Sequence, residues 1–259
     1  MMLQIKNAHP RDEHISFEEG PHIYTVCGER GTYTSVTTFV HNQFPHFDSD
    51  GIADNIVRGK KMSDPKYKYY GMTKQDILDM WSENGKAASS AGTQMHLDIE
   101  HDSNEISVEN NSIEYVYYQN FRKDFPFLKP YRTEWMVYYE ELKISGSIDM
   151  VYYNIDDDKY YIYDWKRVKE IKYDDQFCDY SQTPCLNNMP NLNFWHYSLQ
   201  LGVYKKILED KYGLQIAGMY LVVLHPDNKN YQRVQVADLD NEITELFKMR
   251  KEKVEKEKK

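Results

Sequence analysis

The chain has 259 residues, 41% of them hydrophobic and 14% aromatic, which is enough to bury a core and excludes a mainly disordered protein. The net charge of −9 excludes a protein that coats nucleic acid nonspecifically. It leaves room for a local basic groove, because counterion release depends on the lysines and arginines near phosphates and not on the total.

No run approaches ~18 consecutive apolar residues, so no membrane span is expected. The first residues, "MMLQIKNAHPRDEH", lack the apolar stretch of a signal peptide. Cys27, Cys178 and Cys185 are too few and too scattered for a disulfide framework, which points to a reducing, intracellular compartment.

In chain order, "PHIYTVCGERGTYTSVTTFVHNQF" predicts a hairpin followed by a helix, with Gly28 and Gly31 in turns and Ser35 or Thr34 as the helix cap. From about residue 48 to 125 the pattern is helical. Thr73 caps "KQDILDMWSENG", "AASSAGTQMHLDIEH" reads as a second helix, and "NSIEYVYYQNFRKDF" as a third that ends near Pro126. The period then changes. "RTEWMVYYEE", "KISGSIDMVYYN" and "KYYIYDWKR" read as an antiparallel meander with turns at "EELK" and "NIDDD". A loop with Pro184 and Pro190 follows, then a helix, "NLNFWHYSLQLGVYKKILEDKYG", whose Trp195, Leu199, Val203 and Ile207 form an expected core ridge. "IAGMYLVVLHP" is a further strand. The tail from Asp238 reads as a helix with a charged, frayed end. No repeat and no linker is evident, so one domain over 1–259 is expected, helical over about 35–125 and built on a sheet over about 131–259.

The meander carries unexpected charge. Side chains alternate along a strand, so Asp164 and Lys166 share a face. Pairing across "NIDDD" brings Asp149 beside Asp164. Two neighbouring carboxylates repel and are costly to bury. A divalent cation resolves both problems, and hard oxygen ligands favour Mg²⁺ or Mn²⁺. Lys166 beside the metal would stabilise developing negative charge, or orient and help deprotonate a water. A lone Asp-x-Lys at a strand end is more often a solvated pair, so the surrounding order matters. Gly92-x-x-x-His96 lies on a helix, Gly146-x-x-Asp149 on a strand, Asp164-x-Lys166 on the next, and Gln200-x-x-x-Tyr204 on the following helix.

This order resembles the RecB-like branch of the PD-(D/E)XK nuclease superfamily, which includes mitochondrial genome maintenance exonucleases and related viral nucleases. The resemblance runs from about Thr32 to Pro226. It implies an α/β (α+β) fold with a restriction-endonuclease-like α-β-β-β-α-β core, a central mixed sheet flanked by helices, and a helical N-terminal half. It implies Mg²⁺ or Mn²⁺ held by His96, Asp149, Asp164 and the backbone carbonyl of Trp165, with Lys166 as catalytic lysine. Gln200 and Tyr204 would hold the substrate backbone or position the lysine, and Ser35 and Thr37 would contact the strand being cut. Glu134, in "TEW", matches a family position of undetermined role. Arg167 stands where several relatives have Thr or Ser as a phosphate contact, and Arg can also bind phosphate. Three cysteines cannot complete the four-cysteine iron–sulfur cluster of some relatives, so none is expected.

The segment 58–74, "RGKKMSDPKYKYYGMTK", has six Lys or Arg against one Asp, interleaved with tyrosines. Lys66 and Lys68 suit phosphates, and Tyr69 or Tyr70 suits unpaired bases. The expected activity is a metal-dependent deoxyribonuclease acting from single-stranded or frayed DNA ends. The competing readings are an endonuclease of the same fold on RNA or branched DNA, and a catalytically silent nucleic-acid-binding module. The resemblance also extends to virus-encoded enzymes that act in a host cell.

Overall fold

The computed structural model describes residues 2–257. A short helix, α1 (Leu3–Lys6), precedes three short strands, β1 (Ile15–Glu18), β2 (Ile23–Val26) and β3 (Glu29–Arg30), which form a small antiparallel sheet. Cys27 and Gly28 turn the chain between β2 and β3 at φ 51° and 81°. β4 (Thr34–Ser35) runs directly into α2 (Val36–His41), whose first turn is capped by Ser35. The hairpin and capped helix match the sequence pattern. β1, only four residues long, has no counterpart in that pattern.

Next come α3 (Ser49–Arg58), α4 (Lys74–Ser103) and α5 (Ile113–Asp124). The two helices expected between Thr73 and His101 are one helix of 30 residues. Gly85 and Gly92 do not break it, since a glycine costs a helix only about 1 kcal/mol. The meander follows as β5 (Leu128–Tyr139), β6 (Ile144–Asn154) and β7 (Lys159–Lys166), then α6 (Asn193–Lys211), β8 (Ile216–Val223), β9 (Gln232–Gln235) and α7 (Asp240–Glu257). β9 is a second strand without a sequence signal, because "QRVQ" has too little apolar content to stand out.

The chain is of the α+β class, with a mixed central sheet. β5, β6 and β7 pair antiparallel in sequence, β8 adds parallel to β7, and β9 adds antiparallel to β8. β5 covers one whole edge of β6. β4 and β7 therefore share the other edge, β4 pairing parallel up to Ser145 and β7 pairing only from Met150 onward. Residues 146–149 of β6 lie in the split between them.

One face of the sheet buries Trp135, Val137, Ile148, Ile162 and Leu221 beneath α2, α6 and α7; the other buries Met150, Tyr163 and Trp165 against Tyr118 and Phe121 of α5 and Met95 and Ile99 of α4. α6 corrects the expected single ridge. Phe194, Ser198, Leu201, Gly202 and Leu208 are buried as well as Leu199, Val203 and Ile207, while Trp195 is only half-buried. A helix that meets both the sheet and α7 has no wide solvent face. Gly202 allows that second packing, since a Cβ there would lie 2.3 Å from Ile243 Cδ1. The end of α7 is likewise packed: Val254 is buried and the Arg250 guanidinium donates to the Leu142 carbonyl at 2.8 Å.

The described chain divides into two compact units, one of residues up to Pro45 together with Met95 onward, the other His46–Gln94. No Gly- or Pro-rich linker marks the second boundary in the sequence, because it falls inside α4. No helix among the described residues is long and apolar enough to cross a membrane.

Candidate functional site

The split in the sheet collects the charges. The pairing of β6 with β7 stops at Met150↔Tyr163, so the strands part where Asp149 and Asp164 would face each other. Asp149 bridges the parting by accepting the Trp165 backbone N–H at 3.0 Å. Asp164 is buried, and its Oδ2 lies 2.6 Å from Lys166 Nζ, the same-face placement that strand alternation predicts. The Lys166 ammonium is thus the partner of this buried carboxylate, and the pair is close enough to share a charge-assisted hydrogen bond. Lys166 Nζ also sits 4.6 Å from the centre of the Tyr197 ring on α6.

From α4, His96 turns Nε2 to the Trp165 carbonyl at 3.0 Å, and its Nδ1 lies 3.5 Å from Asp149 Oδ2 and 3.7 Å from Glu134 Oε1. Ligand-type atoms of His96, Glu134 and Asp149 all fall within 4.8 Å of one another. Two features differ from the expected ligand set. Glu134 belongs to the cluster while Asp164 is turned to Lys166, and the Trp165 carbonyl is occupied by the His96 ring.

Glu134 reaches the cluster by an unusual backbone. Thr133 and Trp135 pair with Met150 and Ile148, so Glu134 is opposite Asp149, yet its φ is 42°. A non-glycine residue in this region is uncommon and costs on the order of 1 kcal/mol or more. Ser147 on β6 holds the redirected side chain by donating to Glu134 Oε2 at 2.9 Å.

The electrostatics follow from this crowding. Burial first, then the Asp149 charge, pushes Asp164 up to about 6. Burial and Glu134 likewise raise Asp149, against the pull of His96. For His96 burial opposes the charge, but Asp149, Glu134 and Asp164 outweigh it and raise the imidazole to about 9. Lys166 is raised for the same reason: Asp164 and Asp149 overcome its desolvation. Three carboxylates against one ammonium and one imidazolium leave an excess negative charge at the split. The donor set is oxygen with a single nitrogen, which fits Mg²⁺ or Mn²⁺.

The remaining expected site residues divide. Thr37, His41, Lys166, His196, Tyr197 and Gln200 line one cavity of about 260 Å³ beside the lysine. Ser35 is engaged as a cap, accepting from Thr38 N at 3.1 Å and donating to Thr38 Oγ1 at 2.8 Å. Arg167 is held from one side, its Nε donating to buried Glu114 at 2.7 Å. Tyr204 is a core residue, not a substrate-facing one. It is buried, and its hydroxyl lies against Gly146. This explains the glycine of Gly-x-x-Asp: a Cβ at 146 would meet Tyr204 Oη at 2.6 Å and Val36 Cγ2 at 3.1 Å. Gly146→Ala should therefore destabilise by about 1–3 kcal/mol. A second change, Tyr204→Leu, should recover part of that loss in chemical denaturation; no recovery would show that the strain lies elsewhere.

His196 gives the site's neighbourhood a pH dependence. Its ring stacks on Phe44 at 4.0 Å and shares a hydrogen bond with Asn191 Oδ1 at 2.8 Å. Burial, with His41 nearby, lowers it to about 4. A histidine kept neutral by the fold contributes stability that is present above ~6.5 and is lost as pH falls from ~6.5 toward 4. Melting temperature should decline already between pH 6.5 and 5, above the range where most carboxylates titrate. His196→Phe should flatten that limb, and an unchanged limb would assign it to other groups.

Lys66 and Lys68 are exposed in the second compact unit, and Tyr70 is 51% exposed there. Tyr69 is engaged: its hydroxyl accepts the Trp81 indole N–H at 3.2 Å.

No protein-family model matches the chain, and no curated protein matches it. Among solved structures, the chain is similar to one described as "Crystal structure of SSO0001", at 12% identity and a TM-score of 0.29, over 85% of this chain and 74% of that one. A TM-score at that level supports no inference about fold or activity.

Proposed function

We propose that this chain is a divalent-metal-dependent nuclease of the RecB-like PD-(D/E)XK type, acting on DNA from single-stranded or frayed ends. The observation that carries the reading is the convergence of His96, Glu134, Asp149, Asp164 and Lys166 on one split in the sheet, three carboxylates against two cationic side chains. The order α5-β5-β6-β7-α6-β8 supports it, being the α-β-β-β-α-β order of that core.

In this reading His96 Nδ1, Glu134 and Asp149 would hold the ion, and Asp164 would join once Lys166 shifts toward the phosphate. The ion, when bound, would withdraw electron density from the scissile phosphodiester and ease deprotonation of a water. Lys166 supplies a fixed positive charge to the phosphate oxygens and orients the attacking water. Tyr197 presents its ring to the lysine ammonium from α6. Thr37 and Gln200 present a hydroxyl and an amide to the backbone of the strand along the adjoining cavity. Tyr204 acts indirectly, by setting the height of β6 at Gly146.

An end-labelled linear strand and a closed circular strand, each with Mg²⁺, Mn²⁺ or EDTA, test the reading. Metal-dependent loss of the linear strand alone is the expected result. Cleavage of the circle would assign an endonuclease, and cleavage of neither would leave a silent binding module.

Replacing both Lys66 and Lys68 by alanine should weaken single-strand binding similarly for all sequences. It should also flatten the slope of log affinity against log salt by ~0.7 for each phosphate that is no longer neutralised. A salt titration that overlays wild type would place the strand elsewhere.

A further inference from the structure

Within His46–Gln94 the structure holds a groove that the metal chemistry does not use. Phe47 is left 72% exposed just before α3, and with Ser49, Leu78, Trp81, Ser82 and Asn84 it lines a shallow groove of about 530 Å³. None of these six residues is charged, in a chain where 28% are. A large ring left in water beside an uncharged groove is a feature of binding sites rather than of ordinary surface.

Trp81 is fixed from one side. Its indole N–H is spent on the Tyr69 hydroxyl at 3.2 Å, so what it turns to the groove is ring surface. The rings form a series: Phe47 to Trp81 is 6.1 Å between centres, Trp81 to Tyr69 6.2 Å, and Tyr69 to Tyr67 5.5 Å. Lys68 Nζ lies 5.1 Å from the Tyr69 ring centre, so the series ends in the lysine-rich segment, where Lys60, Lys61, Lys66 and Lys68 are all exposed or half-exposed. An apolar peptide would fill such a groove but would have no use for the cations beside it. A single strand of nucleic acid uses both, since each nucleotide carries a flat π-face and a phosphate.

We infer that the Phe47–Trp81 groove is a stacking site for an unpaired base of a single-stranded nucleic acid, with the lysines of residues 60–68 neutralising the adjoining phosphates. The two rings are tilted by 57°, which rules out a base sandwiched between them. The base lies on one ring and meets the other at its edge, while Ser49, Ser82 and Asn84 offer hydroxyl and amide groups to its rim. Such a site accepts any base, because stacking does not read hydrogen-bond patterns. This inference rests on the proposed nucleic-acid substrate and is independent of the metal chemistry.

The test uses the full chain in EDTA, so that nothing is cut, with labelled oligothymidylate and an abasic strand of equal length as probes. Wild type should bind the oligothymidylate more tightly than the abasic strand. Phe47→Ala should weaken oligothymidylate binding roughly five- to a hundredfold, leave abasic binding unchanged, and leave the salt slope unchanged. Phe47 is so exposed that its loss should not disturb folding, and Trp81→Phe, which keeps a ring, should retain most of the affinity. Equal binding of the two probes by wild type, or Phe47→Ala curves that overlay wild type, would overturn the inference. So would a change in oligomeric state on Phe47→Ala with DNA binding intact, which would make the groove a protein interface. Asp164→Ala, assayed for binding in EDTA and separately for cleavage in Mg²⁺, separates the two readings. If that variant still cleaves in Mg²⁺ while base-dependent binding persists, only the catalytic assignment fails.

Discussion

Asp149→Asn should lower Mg²⁺-dependent cleavage by a factor on the order of 10²–10⁴, the range found when one electrostatic partner of a reaction centre is removed. The substitution is nearly isosteric. An asparagine oxygen can still accept the Trp165 N–H that Asp149 holds at 3.0 Å, so the join between β6 and β7 should survive. What disappears is a negative charge next to Glu134 and His96. In EDTA the melting temperature should hold or rise, because burial, with Glu134 beside it, disfavours the charged carboxylate and raises its pKa. Loss of cleavage with retained melting temperature separates a role in the reaction from a role in the fold. Single-turnover cleavage of an end-labelled strand provides the rate, and a rate within threefold of wild type would falsify the metal assignment. Lys166→Met should reach a comparable loss by a different route, since it removes the cation while leaving Asp164 buried without its partner. That variant should also lose stability, because a buried carboxylate without its counter-charge is costly.

Trp135→Ala should cost about 3–5 kcal/mol, the largest stability effect expected of the substitutions named here. The ring is 1% exposed. It packs edge-on to Tyr212 at 5.4 Å and Tyr131 at 6.1 Å, and the Arg132 guanidinium lies 4.6 Å from its centre. Its indole N–H donates to Asp12 Oδ1 at 2.9 Å, and Arg132 donates to the other oxygen of the same carboxylate at 2.7 Å. Truncation thus leaves a cavity and removes one of the donors that hold Asp12. At the size of this chain the change corresponds to a fall in melting temperature of roughly 6–20 °C. Trp135→Phe should cost clearly less. A cost under about 1 kcal/mol for the alanine variant would mean that the cluster refills the space. Trp135 is also the neighbour of Glu134, so a register disturbed here would scatter the carboxylate cluster; metal binding should weaken in the same variant.

Much of the architecture is legible in the sequence because it is locally encoded. Alternating apolar residues with "EELK" and "NIDDD" between them specify a meander, whatever packs on it. Ser35 before an apolar helical run caps that helix through its own third neighbour. Asp164 and Lys166 share a face because strand side chains repeat every two residues, and this alone places the core of the candidate site. Other features depend on segments far apart in the chain. Glu134 joins the cluster only because β5 pairs with β6 in one register and its backbone takes φ 42°, which no pattern in "TEW" announces. Nothing near Arg167 in the sequence shows that α5 brings Glu114 to its Nε across 53 residues. Tyr204 has the spacing of a substrate-facing residue, but α6 is covered by both the sheet and α7, so that spacing faces the core. The split that brings Asp149 and Asp164 together exists because β4 and β7 both take the same edge of β6 and leave a gap between them. Composition, period and caps determine the elements and the charges they carry. Which charges meet is decided by pairing register and by what covers each face, and both are properties of the assembled chain.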